Sequence, residues 1–188
     1  MSPVTRFSIR LARADELLGL GALELRAAER FAHSVHPYAC ALPAFDRDEL
    51  AELQRAGTVW VAAEDDDRLL GFAIGGWLGD DPYLHELDVE PDHARRGIGR
   101  ALIRRVAEWA RTTERASLVL STFSDVPWNA PYYRRLGFEI VPLEAYTPAE
   151  RALRAREAAG GLRIDSRVIM RAPLDRLVED GYPQDHPG

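Results

Sequence analysis

The sequence predicts one α/β (α+β) domain built on a mixed, mostly antiparallel central sheet of about seven strands, flanked by helices. Three observations carry this. Apolar periodicity orders the chain as β-α-α-β-β-β-α-β-α-β-(α)-β. The early strands are joined by short polar turns and so pair as hairpins, whereas the later ones alternate with helices as β-α-β units. The chain has 188 residues, of which 46% are hydrophobic and 29% charged, enough for one core without staples. The domain is placed at residues 1–173 and a polar tail with two Pro and two Gly at 174–188.

Residues 7–11 alternate apolar and polar as a half-buried strand does, and Asp15 can cap the helix that follows, with apolar positions at Leu18, Leu25 and Ala28. Residues 33–45 lack periodicity and read as a loop; Asp46 then opens a helix that Gly57 ends. Strands follow at 58–64, 69–78 and 83–89, separated by polar turns at 65–68 and 79–82. Trp60 and Trp77 lie inside these strands and are expected in the core. From Gly97 to Arg111 the residues Ile98, Leu102, Val106 and Trp109 recur at helical spacing. Residues 117–122 form a continuous β-rich run. A short helix at 129–136, a strand at 138–141, a helix at 148–159 and a last strand at 167–171 complete the order.

Composition removes several function classes. The net charge of −6 argues against nucleic acid as a partner. No stretch of about 18 apolar residues occurs, so no membrane span is expected. No apolar run follows Arg6, so no signal peptide is read and a cytoplasmic location is expected. Every basic residue is Arg, which excludes a P-loop and lysine Schiff-base chemistry. Cys40 stands alone, without an activating context or a disulfide partner. His33 and His36 lack a third ligand at metal spacing, so no metal is expected.

The segment 87–101 carries the strongest signal. A strand passes through a short loop into a helix that opens with Gly97 and Gly99. A helix start presents free N–H groups and partial positive charge, and glycines let a ligand approach them. Arg95, Arg96 and Arg100 crowd this positive end, a placement that a bound anion would favour. A dinucleotide fingerprint does not fit, because Leu102 stands where its third Gly belongs.

Arg96-Gly97-Ile98-Gly99-Arg100-Ala101 resembles the Arg/Gln-x-x-Gly-x-Gly/Ala motif of the GNAT superfamily of N-acetyltransferases. The stretch 86–91 is similar to that family's fourth strand and its exit, and 132–138 to its late Tyr-x-x-x-Gly-Phe element. The resemblance covers about residues 7–172 and implies a splay between the fourth and fifth strands that admits acetyl-CoA. It places the pyrophosphate on the amides of residues 96–101 and the pantetheine arm along Leu87, Asp88 and Val89, with Ser121, Thr122 and Phe123 as lining. It also suggests Asn129 and Tyr132 as cofactor contacts, although Asn129 lies four residues before Tyr133 where the family places its Asn about seven before.

Acetyl transfer to an amine needs a base for the ammonium, a donor for the oxyanion and an acid for the thiolate. The resemblance makes Tyr133 the acid, with Tyr132 second; a backbone N–H near Val89 would face the oxyanion. Glu86 is the favoured base and His85 the second, among Tyr83, His85, Glu86 and Asp88 of one strand. Strict alternation sets Tyr83, His85 and Leu87 on one face and Leu84, Glu86 and Asp88 on the other, unless a bulge intervenes. By analogy His33, His36 and Tyr38, with Tyr83, would line the acceptor site. The expected partners are acetyl-CoA and a small primary amine, with a homodimer as the expected assembly. A protein N-terminus as acceptor, a non-catalytic acyl-CoA-binding module and a nucleotide-binding oxidoreductase stay open as alternatives.

Overall fold

The computed structural model describes residues 7–178. Its strands are β1 (Ser8–Leu11), β2 (Val59–Ala63), β3 (Leu69–Leu78), β4 (Asp81–Val89), β5 (Ser117–Phe123), β6 (Glu139–Ile140) and β7 (Arg167–Pro173). The helices are α1 (Leu17–Ala28), α2 (Arg47–Arg55), α3 (Ile98–Arg111), α4 (Ala130–Arg135), α5 (Pro148–Ala159) and α6 (Leu174–Val178). The strands form one sheet in the order β1-β2-β3-β4-β5-β7-β6. All neighbouring pairs are antiparallel except β4 and β5, so the expected mixed sheet of seven strands is present. None of the helices described is long and apolar enough to cross a membrane.

The sheet has helices on both faces, which explains why β2 is apolar at every position. Trp60 and Ala62 pack toward α3, with Leu102, Val106 and Ala110. Val59 and Val61 pack toward α1 and α2, with Leu20, Leu23 and Leu50. Two helix starts have a local cause: Asp46 accepts hydrogen bonds from the Asp48 and Glu49 amides, and Thr147 forms a capping box with Glu150.

Several boundaries differ from the sequence reading. Leu18 and Leu25 face outward at 66% and 49% exposure, because α1 buries Leu17, Leu20, Leu23 and Ala27 instead. Residues 33–45, expected as a loop, are not a plain one: segment 29–45 holds two 3-10 turns, Glu29–His33 and Pro37–Ala41. β4 begins at Asp81, inside the expected turn, and β6 keeps only two residues. Trp77 is not core: it is 48% exposed, its ring edge against Trp109, while Trp60 is buried as expected. The tail set at 174 loses its first five residues to α6, whose Leu174 is buried in the α3 cluster; residues 179–188 lie outside the described residues.

Two irregularities in β4 shape the molecule. First, Ile74 pairs with Glu86 but Gly75 with Leu84, so His85 is the extra residue of a bulge. This overturns strict alternation. Leu84, Leu87 and Val89 pack toward α3, whereas Tyr83 packs on the other face with Val119 and Ile169. Second, β4 pairs with β5 only at Tyr83–Val119 and Leu84–Leu120. Beyond Leu84 the strands part, as the predicted splay requires, and the β4 backbone offers an unpaired edge.

Candidate active site

Between the parted ends of β4 and β5 lies a cleft of about 1400 Å³. At one end stands the start of α3. Gly97 is its N-cap with φ of +78°, a left-handed conformation that glycine adopts without a steric penalty. No side chain caps this end, and no acidic residue occupies its first turn. The N–H groups of Ile98, Gly99 and Arg100 have no preceding turn to bond. Gly99 lies beneath Tyr132, and a Cβ there would stand 3.0 Å from the phenolic oxygen. An uncapped, glycine-led helix start beside an unpaired strand edge has the donors and the room for a diphosphate on an extended arm.

The cleft walls include His85, Glu86, Leu87, Asp88, Val89, Arg95, Gly97, Ile98, Gly99, Arg100, Thr122, Asn129, Tyr132, Tyr133 and Tyr83, all picked from sequence. Arg96 and Ala101 do not line it, and the Ala101 N–H is already bonded to the Gly97 carbonyl at 3.0 Å. The assignment of the diphosphate therefore narrows to the amides before Ala101. Asn129 is the N-cap of α4 by position, but its side chain makes no capping bond.

The acceptor-side histidines need correction. His33 is exposed, and His36 and Tyr38 are outside the cleft walls. His36 is buried instead: its ring stacks on Phe123 with centroids 4.4 Å apart, and its Nε2 meets Asp125 at 2.8 Å. The Tyr38 hydroxyl accepts the Arg163 N–H. These two side chains tie segment 29–45 to the end of β5 and to the connection between α5 and β7.

The middle of the cleft is a cluster of ionisable groups. Glu86 and Asp88 on β4 and Glu24 on α1 all line it. Burial pushes the Glu86 carboxyl up to about 7, with the negative charge of Glu24 adding to the effect. Asp88 is raised well above its ordinary range by burial and then by Glu86, and its Oδ2 has no hydrogen-bond partner. Burial also raises the Tyr133 phenol, which therefore keeps its proton at neutral pH. Its ring rests edge-on against Phe138 and Tyr132. His85 behaves differently. Burial lowers it to about 4, and its ring fits against Gly76, where a Cβ would stand 2.5 Å from Nε2.

Sequence reading missed Glu24, Arg30, Glu157 and Arg167, which also line the cleft. Arg167 reaches Glu157 at 2.6 Å and Ser121 at 3.1 Å, with its guanidinium over the Phe123 ring. Arg30 lies over Trp128 at 4.3 Å. Glu24 had a signal: it interrupts the buried stripe of Leu20, Leu23 and Ala27 on α1.

A family model described as "Acetyltransferase (GNAT) family" matches residues 19–138. N-acetyltransferase 8 of Homo sapiens is 31% identical over 93 residues, covering 46% of this chain and 40% of that protein. Mycothiol acetyltransferase of Mycolicibacterium smegmatis is 45% identical over 56 residues, 29% of this chain and 19% of that one. The chain spans less than half the length of these curated relatives. The PaiA N-acetyltransferase from Thermoplasma acidophilum, solved in complex with coenzyme A, aligns with a TM-score of 0.65 at 13% identity, over 89% of this chain and 99% of that one. N-acetylglutamate synthase from Neisseria gonorrhoeae, complexed with coenzyme A and N-acetyl-glutamate, gives 0.67 at 18%, over 90% and 35%. At such identities these structures speak to the fold.

Proposed function

The chain belongs to the acetyltransferase (GNAT) family, and from that premise we propose that it transfers acetyl from acetyl-CoA directly to a primary amine of a small molecule. The observation that carries the reading is spatial: the uncapped α3 start and the free β4 edge open into the same cleft that holds Glu86 and Tyr133. The amides of Ile98, Gly99 and Arg100 hold the diphosphate, and the Leu87–Asp88–Val89 edge pairs with the pantetheine arm as an added strand would.

Glu86 takes the proton of the bound ammonium, directly or through a water, and frees the nitrogen lone pair. That nitrogen bonds to the thioester carbon, and a β4 backbone N–H near Val89 stabilises the oxyanion. The carbon–sulfur bond then breaks, Tyr133 passes its phenolic proton to the departing thiolate, and the nitrogen gives up its second proton, which restores the phenol. Glu86 is preferred over His85 because a carboxyl near 7 is a competent base at neutral pH, whereas an imidazole near 4 is a weak one. The products are the acetamide and free coenzyme A.

The test is thiol release from acetyl-CoA across a panel of small amines and short peptides, alongside calorimetry with CoA. The reading requires binding, turnover on small amines, and loss of turnover in Tyr133→Phe with CoA affinity kept. Binding without turnover on the whole panel would instead assign a non-catalytic acyl-CoA module.

A further inference from the structure

Resting on the reading of Glu86 as base, we infer that Glu24 is a positioning residue for the transfer: from α1 it clamps the acceptor-side loop at Phe45 and shares the cleft with Glu86 as a second carboxyl.

The clamp is geometric. Both Glu24 carboxylate oxygens accept the Phe45 N–H, at 2.9 and 3.0 Å. Phe45 follows Leu42, Pro43 and Ala44, which line the cleft. Its ring stands edge-on to His85, with centroids 6.0 Å apart, and His85 stands edge-on to Tyr83 at 4.7 Å. One carboxylate thus fixes a cleft wall against the bulge of β4. A position inside a buried helical stripe normally carries an apolar side chain, and here the polar group serves the loop and the cleft.

The charge acts through Glu86. The groups that face Glu86 are Glu24 from α1, Tyr83 and Asp88 on its own strand, Arg167 from β7 and Tyr133 from α4. Arg30 faces Asp88 and Tyr133. Arg167 is already engaged by Glu157 and Ser121, so its positive charge is partly compensated. Glu24 is the main charged influence that raises Glu86. Taking that charge away lowers the Glu86 proton affinity, since a like charge disfavours ionisation.

Glu24→Gln separates the two roles, because its amide oxygen still accepts the Phe45 N–H. The Glu86 titration is read by ¹³C NMR of carboxyl-labelled glutamates, assigned from the signal lost in Glu86→Gln. In Glu24→Gln the Glu86 midpoint is expected to fall by about one pH unit. The acid limb of kcat/KM falls with it, while KM for the amine stays within about twofold. Glu24→Ala also loses the clamp and raises that KM; should it fail to fold, Glu24→Gln decides alone. An unmoved Glu86 midpoint in Glu24→Gln overturns the proposal. A midpoint that moves while the kinetic limb stays overturns the role in transfer and removes Glu86 as the base.

Discussion

Glu86 is held where ionisation is costly, and two measurable consequences follow. In the proposed transfer its carboxyl, raised to about 7, must lose its proton before it can accept one from the ammonium. Activity should therefore rise as pH increases through about 7, and this limb should vanish in Glu86→Gln along with most of the rate. The same burial strains stability. A carboxyl that binds its proton more tightly folded than unfolded weakens the folded state as pH rises from the unfolded value toward 7, and fully above it. Glu86→Gln should thus melt higher than wild type at pH 8 and nearly level with it at pH 4, at about 2–4 °C per kcal/mol for a chain of this size. Tyr133→Phe should lower kcat by about 10²–10⁴-fold, the usual range for a lost acid, with little change in CoA affinity by calorimetry. At this scale the place of Tyr133 and Glu86 in the cleft was legible because each sits in a recognisable local pattern. The facing of β4 was not, because one extra residue, His85, sets Tyr83 and Leu87 on opposite faces although their spacing says they share one. A bulge is settled by the partner strand, which no single segment records.

The start of α3 is an element-level device. No side chain caps it, and the Ile98 and Gly99 amides at its first turn have no preceding helical carbonyl to bond, so a ligand's acceptors suit them. A methyl at Gly99 would enter that space and press the Tyr132 hydroxyl at 3.0 Å. Gly99→Ala is therefore expected to weaken CoA binding about tenfold, or ~1.4 kcal/mol, with the melting curve nearly unchanged. Calorimetry and a thermal melt together check both halves. This helix was legible in full, since Ile98, Leu102 and Val106 keep strict helical period and the glycines mark its start. Segment 29–45 was legible only as irregular. His36, Tyr38 and their neighbours looked like site residues by composition, yet Phe123, Asp125 and Arg163, far along the chain, claim them for packing. Contacts of such long separation leave no local trace.

For the whole molecule, the mixed sheet of about seven strands followed from the alternation of hairpins and crossovers, and the structural neighbours share it, but the seating of β7 between β5 and β6 was not read. The end of the domain did not follow. α6 has only five residues, too few to show a period, and docks through buried Leu174, at 2% exposure, with Leu177 and Val178 packed against the same cluster. Leu174→Ala is expected to cost about 2–4 kcal/mol, read from urea denaturation. The pairing of β4 with β5 at two positions has a mechanical corollary. The sheet consists of two plates joined at a single rivet, and α3, packed across Leu84, Leu118 and Leu120, is the splint that keeps them aligned. A guest strand lying in the gap would weld the plates into one cooperative unit. Native-state amide exchange should then show two separately opening blocks in the free protein and a common, slower opening once coenzyme A is added.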